Sequence, residues 1–247
     1  MHVEYAKVSA LGDRQENQDR AAVIVAKEAA LMMVFDGMGG HSDGALAAET
    51  CLKVLQDEFT SAKLPLFDPQ GFLYLALAKA HDTIVKLAQD VEIDYRPRAT
   101  CAVCLVQEGG SFWAHVGDSR IYQLRSGRVV ERSRDHSHVE VLIQEGAITE
   151  EEAQDHPMRN YVECCLGGDE PVPDMTVTGK KSLREGDVLL SCSDGLWTGI
   201  SDHEIAALTA EGRELSEKLK ELSMKSLSVN APNGDNTTGT ALQWLGA

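Results

Sequence analysis

Short runs of apolar residues, separated by polar segments, predict the strands of this chain. Near the N-terminus, the runs predict strands at residues 3–10, 21–27 and 29–35. The run 29–35 carries no charge and is too short to cross a membrane, which indicates a strand covered on both faces. Later strands are predicted at residues 100–106, 111–116, 121–124, 128–131, 175–178, 188–193 and 238–245.

Helical spacing of apolar residues predicts helices between these groups of strands. The first covers residues 43–59, and the second follows Asp68 as N-cap and Pro69, extending to about residue 91. Shorter helices are predicted at 138–145, after the capping box that begins at Thr149, and at 202–208 and 213–227. Strands in runs between helices, without strict alternation, favour antiparallel sheets with helices packed outside them.

Composition and charge limit the number of domains and the kinds of molecule that the protein can bind. A chain of 247 residues with 43% hydrophobic and 25% charged residues is typical of one large or two small globular domains. The formal net charge of −16 disfavours a nucleic-acid partner, because phosphate backbones bind clustered Lys and Arg. An acidic protein that acts on phosphate needs metal ions to reverse the local charge. With no signal peptide and no transmembrane stretch in the sequence, we expect a cytoplasmic protein that does not bind membranes.

The six cysteines are expected to be reduced thiols. Cys101 and Cys104 have the spacing of a metal or redox pair, but both lie in the predicted strand 100–106. Because an odd separation on a strand points two side chains to opposite faces, this pair is not expected to bind one metal. The sequence also lacks the signatures of cysteine phosphatases, P-loop proteins, zinc proteases and EF-hands.

The uncharged run 29–35 leads directly into Asp36 and a glycine-rich segment. One interpretation is a tight turn in which Asp36 caps the next helix. The other is a carboxylate on a rigid strand within an oxygen-rich site for a cation or a phosphate, with glycines that allow close approach. A second apolar run leads into Asp194 and a glycine in the same way.

Three more aspartates border predicted strands. Asp19 and Asp235 precede strands, and Asp118 follows one. Each of them alone is consistent with a turn residue. Since a sandwich of sheets would bring such strand ends together, the set indicates a site for a hard cation such as Mg²⁺ or Mn²⁺, which binds carboxylate, carbonyl and water oxygens.

Five short motifs occur in an order that resembles a known family. They are Arg14 with Asn17-Gln18-Asp19, Asp36-Gly37-Met38-Gly39-Gly40-His41, Gly117-Asp118-Ser119-Arg120, Ser193-Asp194-Gly195-Leu196-Trp197 and Asp235-Asn236-Thr237. With them the chain resembles the metal-dependent protein serine/threonine phosphatases of type 2C, in their compact bacterial form. The resemblance implies one catalytic domain over residues 1–247, with a flap at about 134–166. It also implies an α+β fold, a four-layer α-β-β-α sandwich of two antiparallel sheets flanked by helices.

The resemblance implies two core metal ions, Mn²⁺ or Mg²⁺, in a cleft at one end of the sandwich. Asp36 would bridge the two ions, and Gly37 would offer its carbonyl oxygen. The remaining core ligands would be Asp19, Asp194 and Asp235. A water activated by the metals is the expected nucleophile, so no covalent intermediate is required.

Two further site residues come from the same resemblance. Arg14 would hold the substrate phosphate, and with Asp36 and Asp194 it forms the expected catalytic set. Asp118 would bind a weaker third cation shared with Asp194. The alternative is that Asp118 only caps the turn between two strands.

The expected reaction is hydrolysis of phosphoserine and phosphothreonine in phosphorylated proteins, opposing a serine/threonine kinase. The expected partners are that kinase and its substrates, and we expect a monomer. Met38 stands where some relatives carry a histidine, so the general acid is not assigned to it or to His41. Two alternatives are a pseudophosphatase that acts as a scaffold, which would have lost a metal ligand, and a phosphodiesterase, which the acidic charge disfavours.

Overall fold

The structure is a computed structural model that describes residues 1–38 and 43–246. Its strands are β1 (Val3–Ala10), β2 (Arg20–Val25), β3 (Ala29–Met38), β4 (Arg98–Gln107), β5 (Gly110–Val116), β6 (Arg120–Arg125), β7 (Arg128–Arg132), β8 (Leu166–Gly167), β9 (Thr176–Val177), β10 (Lys181–Ser182), β11 (Val188–Cys192) and β12 (Thr237–Trp244). Its α-helices are α1 (Asp43–Ser61), α2 (Pro69–Leu87), α3 (His138–Gln144), α4 (Glu150–Gln154), α5 (Asp194–Trp197), α6 (Asp202–Ala206) and α7 (Leu215–Asn230). Short 3₁₀ turns lie at Ile93–Tyr95 and Ala207–Thr209.

The strands form two antiparallel sheets, as the sequence predicted. The first sheet has the order β1-β12-β11-β6-β7, and the second has the order β10-β5-β4-β3-β2. The short strands β8 and β9 pair with β4 and β5. None of the helices in the described residues is long and apolar enough to cross a membrane.

Buried side chains on both faces of the sheets produce the four layers. On β3, residues Ala29, Leu31, Met33 and Phe35 pack towards α1 and α2, and Ala30 and Met32 pack between the two sheets. The outer face of the first sheet packs against α5, α6 and α7. The continuous apolar run of β3 is therefore explained by burial on both faces.

Cys101 and Cys104 lie on opposite faces of β4. Cys101 packs in the layer towards the helices, and Cys104 packs between the sheets. Both are free thiols, as are the other cysteines of the chain. The prediction that these two side chains point to opposite faces of a strand is confirmed.

Several boundaries differ from the sequence prediction. Strand β3 continues to Met38, so Asp36 lies inside the strand, paired with Thr100 of β4. The interpretation of Asp36 as a helix-capping turn residue is therefore wrong. The strand predicted at 175–178 covers only the two residues of β9, Thr176–Val177. The helix predicted to about residue 91 ends at Leu87. The single-turn helix α5 was not predicted, because four residues are too few to show a helical period.

Candidate metal centre

The aspartates that the sequence singled out converge at one end of the sandwich. Asp36 belongs to β3 of the second sheet, and the others flank strands of both sheets: Asp19 before β2, Asp118 after β5, Asp194 after β11 and Asp235 before β12. The pKa of Asp36 is well above its usual value, first because the carboxyl is buried and then because all four other carboxylates repel it. The predicted gathering of these five side chains is therefore seen in the structure.

Burial, and then the charges of neighbouring carboxylates, disfavour the ionised forms of the aspartates in the cluster. Burial is the largest cause of the raised pKa at Asp19, to about 7, at Asp118, to about 8, and at Asp194, to about 6. Asp194 also accepts a hydrogen bond from the Asp36 side chain. Two carboxyl groups joined by a hydrogen bond share a proton, because both cannot be ionised without compensation. A bound cation would supply that compensation instead of the proton.

Two buried carboxylate oxygens are left without a hydrogen-bond donor among the described residues. They are Oδ1 of Asp19 and Oδ1 of Asp194. An unpaired buried polar atom is costly, and a metal ion is one of the explanations for it. Oδ2 of Asp19 is different, because it accepts a hydrogen bond from the Ser193 hydroxyl at 2.8 Å. These two unpaired oxygens are therefore available to bind an ion.

As they stand, no three His, Cys, Asp or Glu side chains in residues 1–38 and 43–246 form a closed metal shell. The mutual repulsion of the carboxylates and the two unpaired oxygens still indicate a place for a compensating cation. The donors are all oxygens, which suits Mg²⁺ or Mn²⁺. The residues present therefore fit the implied ions.

Glycines bring the end of β3 against the start of α1. A Cβ atom on Gly37 would lie 2.1 Å from the carbonyl oxygen of Gly44 and 2.8 Å from that of Gln18. A Cβ on Gly44 would lie 2.8 Å from the carbonyl carbon of Gly37. No other residue fits at either position, so these glycines allow the chain's own backbone to pack beside Asp36. Residues 39–42, which include His41, lie outside the described residues.

Arg14 contacts a proposed metal ligand. Its Nη2 lies 2.5 Å from Oδ2 of Asp235, and both side chains are partly exposed. The loop that carries Arg14 is anchored nearby, since the Gly234 amide donates to Oδ2 of Asp13 at 2.9 Å. The predicted phosphate-binding residue is therefore placed at the cluster, where its present partner is a carboxylate.

Two residues support the cluster in ways that the sequence did not reveal. Ser193 fixes Asp19, as described above, and Asn236 fixes the loop before Asp19. The Asn236 side chain accepts a hydrogen bond from the Gln18 amide at 2.8 Å and donates to the carbonyl of Leu11 at 2.8 Å. Both residues stand in motifs that were recognised, but their partners are more than 170 positions away in sequence. No local pattern could identify such contacts.

The chain matches the family described as protein phosphatase 2C over residues 8–229. It is 35% identical to a putative protein phosphatase 2C-type of Streptococcus pyogenes serotype M6, over 78% of this chain and 77% of that protein. It is 32% identical to protein phosphatase PhpP of Streptococcus pneumoniae, over 91% of this chain and 90% of that protein. It is 33% identical to the serine/threonine protein phosphatase PstP of Mycobacterium tuberculosis, over 80% of this chain but only 38% of PstP.

Solved structures are similar over almost the whole chain and confirm the predicted α+β fold. The serine/threonine phosphatase of S. agalactiae has a TM-score of 0.87 at 28% identity, covering 98% of this chain and 99% of its own. The catalytic domain of PstP in complex with 2 manganese ions has a TM-score of 0.82 at 29% identity, covering 99% of both chains. The chain therefore belongs to the protein phosphatase 2C family and is a metal-dependent serine/threonine protein phosphatase.

Proposed function

We propose that the carboxylate cluster is the active site and that it hydrolyses phosphoserine and phosphothreonine with two core divalent cations, Mn²⁺ or Mg²⁺. The proposed ligands are the carboxylates of Asp19, Asp36, Asp194 and Asp235 and the carbonyl oxygen of Gly37. A weaker third cation is proposed between Asp118 and Asp194. The observation that carries this proposal is the group of mutually repelling carboxylates with unpaired oxygens at Asp19 and Asp194.

The energetics of the reaction require more than the positive charge of Arg14 at this site. Phosphate-monoester hydrolysis needs about 20 kcal/mol or more of barrier reduction. The Arg14 guanidinium contributes about 1.5–3 kcal/mol as one contact to a charged group. The aspartates without metal would repel a dianionic phosphate. When bound, the divalent ions neutralise the carboxylates, orient the phosphate and lower the pKa of a bound water towards about 7.

Regular secondary structure supports two of the proposed ligands, Asp36 and Asp194. Asp36 lies in β3, which is hydrogen-bonded to β2 on one side and to β4 on the other. Asp194 is the first residue of α5, where the Thr198 amide donates to its carbonyl at 2.9 Å. Arg14 lies on a more exposed loop, which suits a residue that binds substrate. A cation on Asp235 would compensate that carboxylate and leave the guanidinium available for the phosphate.

A flap beside the cluster is proposed to face the protein substrate. The segment 134–166 carries α3 and α4, and its two ends are held together by a bridge between Ser137 and Val162. The Glu163 amide also donates to the carbonyl of His136 at 2.8 Å. We propose that the flap belongs to one catalytic domain over residues 1–247. We further propose a cytoplasmic monomer that opposes a serine/threonine kinase and binds neither nucleic acid nor membranes.

Turnover of p-nitrophenyl phosphate and of a phosphothreonine peptide tests this function. We expect no turnover after exhaustive chelation and recovery with added Mn²⁺ or Mg²⁺, because the donor set consists of oxygens. Full turnover in chelated buffer would contradict the metal mechanism. Peptide binding without turnover at any metal concentration would identify a pseudophosphatase, and faster hydrolysis of bis-p-nitrophenyl phosphate would identify a phosphodiesterase.

A further inference from the structure

Trp197 joins the two loops that carry Asp118 and Asp194. Its indole Nε1 donates a hydrogen bond to the backbone carbonyl of Asp118 at 3.0 Å. Asp194 and Trp197 are the first and last residues of α5, so one helical turn carries both the carboxylate and the indole. The position of the Asp118 backbone is therefore fixed relative to the turn that presents Asp194.

Arg120 adds a second connection between the same loops. Its guanidinium carbon lies 3.4 Å from the centre of the Trp197 ring, a cation–π contact. Arg120 also pairs with Cys192 where β6 runs beside β11. Asp118 lies two residues before Arg120, and Asp194 lies two residues after Cys192. The ring contact and the strand pairing thus hold both aspartates from the side of the first sheet.

The guanidinium of Arg120 also binds the base of the flap. Its Nε and Nη2 donate to the two carboxylate oxygens of Asp135, at 2.9 and 2.7 Å. The two side chains are only 14% and 8% exposed. The next residue, His136, donates its backbone amide to the carbonyl of Gly117 at 2.8 Å. The segment that carries Asp118 is therefore bound on one side by α5 and on the other by the flap.

We propose that Trp197 and Arg120 are positioning residues that hold Asp118 beside Asp194 for the third cation and link that site to the flap. This inference rests on the proposed function, in which those two aspartates share the weaker ion. Asp135 neutralises Arg120 through a paired, two-point contact, so the guanidinium fixes geometry without adding unpaired positive charge near a cation site. Both residues act through Asp118 and the flap, and neither is assigned a contact with substrate.

Trp197→Phe tests the hydrogen bond of the indole separately from the contact of the aromatic ring with Arg120. The phenyl ring keeps a face for Arg120 and removes the hydrogen bond to Asp118. The matched control is Trp113→Phe, because Trp113 is buried, donates its Nε1 to Ser111 Oγ at 3.0 Å and lies under the Lys181 ammonium at 4.6 Å. Each substitution removes one indole hydrogen bond beside a cation–π pair, but only Trp197 contacts the backbone of a proposed ligand.

Arg120→Lys keeps the charge and removes the two-point contact with Asp135, since a lysine ammonium cannot reproduce the planar fork. The matched control is Arg125→Lys at the other end of β6. Arg125 donates to both oxygens of Asp187 at 2.6 Å each. The control therefore loses the same kind of ion pair on the same strand.

Mn²⁺ binding to the full chain, measured by calorimetry and by electron paramagnetic resonance of free Mn²⁺, gives a readout that does not depend on turnover. We expect Trp197→Phe and Arg120→Lys to raise the dissociation constant of the weakest Mn²⁺ about three- to tenfold, the value of one hydrogen bond. The two stronger Mn²⁺ sites should keep their affinity. We also expect kcat for p-nitrophenyl phosphate to fall with KM nearly unchanged, and the control variants to keep wild-type Mn²⁺ binding and kcat.

Equal Mn²⁺ affinities in Trp197→Phe and Trp113→Phe would overturn the inference, even if both variants melt at lower temperature than wild type. Binding of only two Mn²⁺ ions by the wild-type chain would remove the third site and the inference with it. Absence of turnover by a wild-type protein that binds three Mn²⁺ ions would refute the proposed reaction alone, because the binding comparison would still decide the positioning role.

Discussion

Arg14 and Asp235 form an ion pair at the edge of the carboxylate cluster, with Nη2 of the arginine 2.5 Å from Oδ2 of the aspartate. The two side chains are 57% and 37% exposed, so solvent screens the pair and it contributes little to stability. One member is the proposed phosphate-binding residue and the other a proposed metal ligand. The pair therefore concerns substrate and metal binding more than folding.

Arg14→Ala is expected to raise KM for p-nitrophenyl phosphate about tenfold or more, with a much smaller effect on kcat. The reason is the loss of one charged contact to the phosphate, worth about 1.5–3 kcal/mol. Mn²⁺ affinity should not fall, because the guanidinium competes with a cation for Asp235. Steady-state kinetics and Mn²⁺ titrations measure both effects. Arg213→Ala, which removes an exposed pair with Glu221 on α7, is the control; an unchanged KM in Arg14→Ala would contradict the phosphate role.

The sequence predicted the positions of the aspartates because each of them borders an apolar run. Periodicity identified β1 with the observed bounds and placed the start of α1 at Asp43. The uncharged run before Asp36 marks β3 because both faces of this strand are buried, one against the helices and the other against the first sheet. Two sheets packed in this way bring their strand ends together, which is why the cluster could be expected.

The supporting contacts could not be predicted, because they join residues that are distant in sequence. Trp197 and Asp118 are separated by 79 positions, and Ser193 and Asp19 by 174. The pairing of Arg14 with Asp235 also spans most of the chain, and charge pattern alone gives Arg14 many possible partners. Short elements such as α5 and β10 depend on such tertiary contacts and have no period of their own to detect.

The stability gained from Mn²⁺ should increase with pH between about pH 5.5 and about 7.5. The pKa values of Asp19 and Asp194 are raised to about 7 and about 6. Since these folded-state values exceed the unfolded ones, the folded metal-free chain binds more protons, and its stability falls as pH rises through this range. Mn²⁺ binds the ionised carboxylates, so its stabilising effect is largest at high pH, where the metal-free chain is least stable. Thermal melts with Mn²⁺ and with chelator at each pH measure the gain, and a larger gain at low pH would contradict the cluster as the binding site.

Asp36→Asn is expected to stabilise the metal-free chain and to abolish most of the turnover. The neutral amide has nearly the same shape, and it removes the cost of burying an ionisable carboxyl among four other carboxylates, which must either take up a proton on folding or be repelled. At about pH 7.5 without metal, we expect the Tm to rise by about 2–4 °C for each kcal/mol of this cost that is removed. Turnover with Mn²⁺ should fall by about 10²-fold or more, because the amide removes one charged ligand proposed for the core ions.

The control for this substitution is Asp82→Asn, on the exposed face of α2. It changes the net charge equally and should alter neither the Tm nor the turnover. Asp194→Asn should resemble Asp36→Asn, with turnover lost and the circular-dichroism spectrum unchanged. Near-wild-type turnover in Asp36→Asn would contradict the proposed ligand role of Asp36, and a collapsed circular-dichroism spectrum in either variant would show that these carboxylates are needed for folding.

Asp118→Ala distinguishes a third metal ligand from a turn residue. As a ligand, Asp118 should be dispensable for the Tm, because burial and the charge of Asp194 already disfavour its ionised form in the metal-free chain. Its removal should leave two Mn²⁺ sites and lower kcat markedly, since a cation beside the substrate stabilises charge in the transition state. Asp68→Ala is the reference for loss of a capping residue. Asp68 accepts a hydrogen bond from the Gly71 amide at 2.9 Å, so its removal should lower the free energy of unfolding by about 1 kcal/mol and leave kcat unchanged. A melt, a Mn²⁺ titration and kcat on both variants decide between the roles, and an Asp118→Ala protein that behaves like Asp68→Ala would make Asp118 a turn residue.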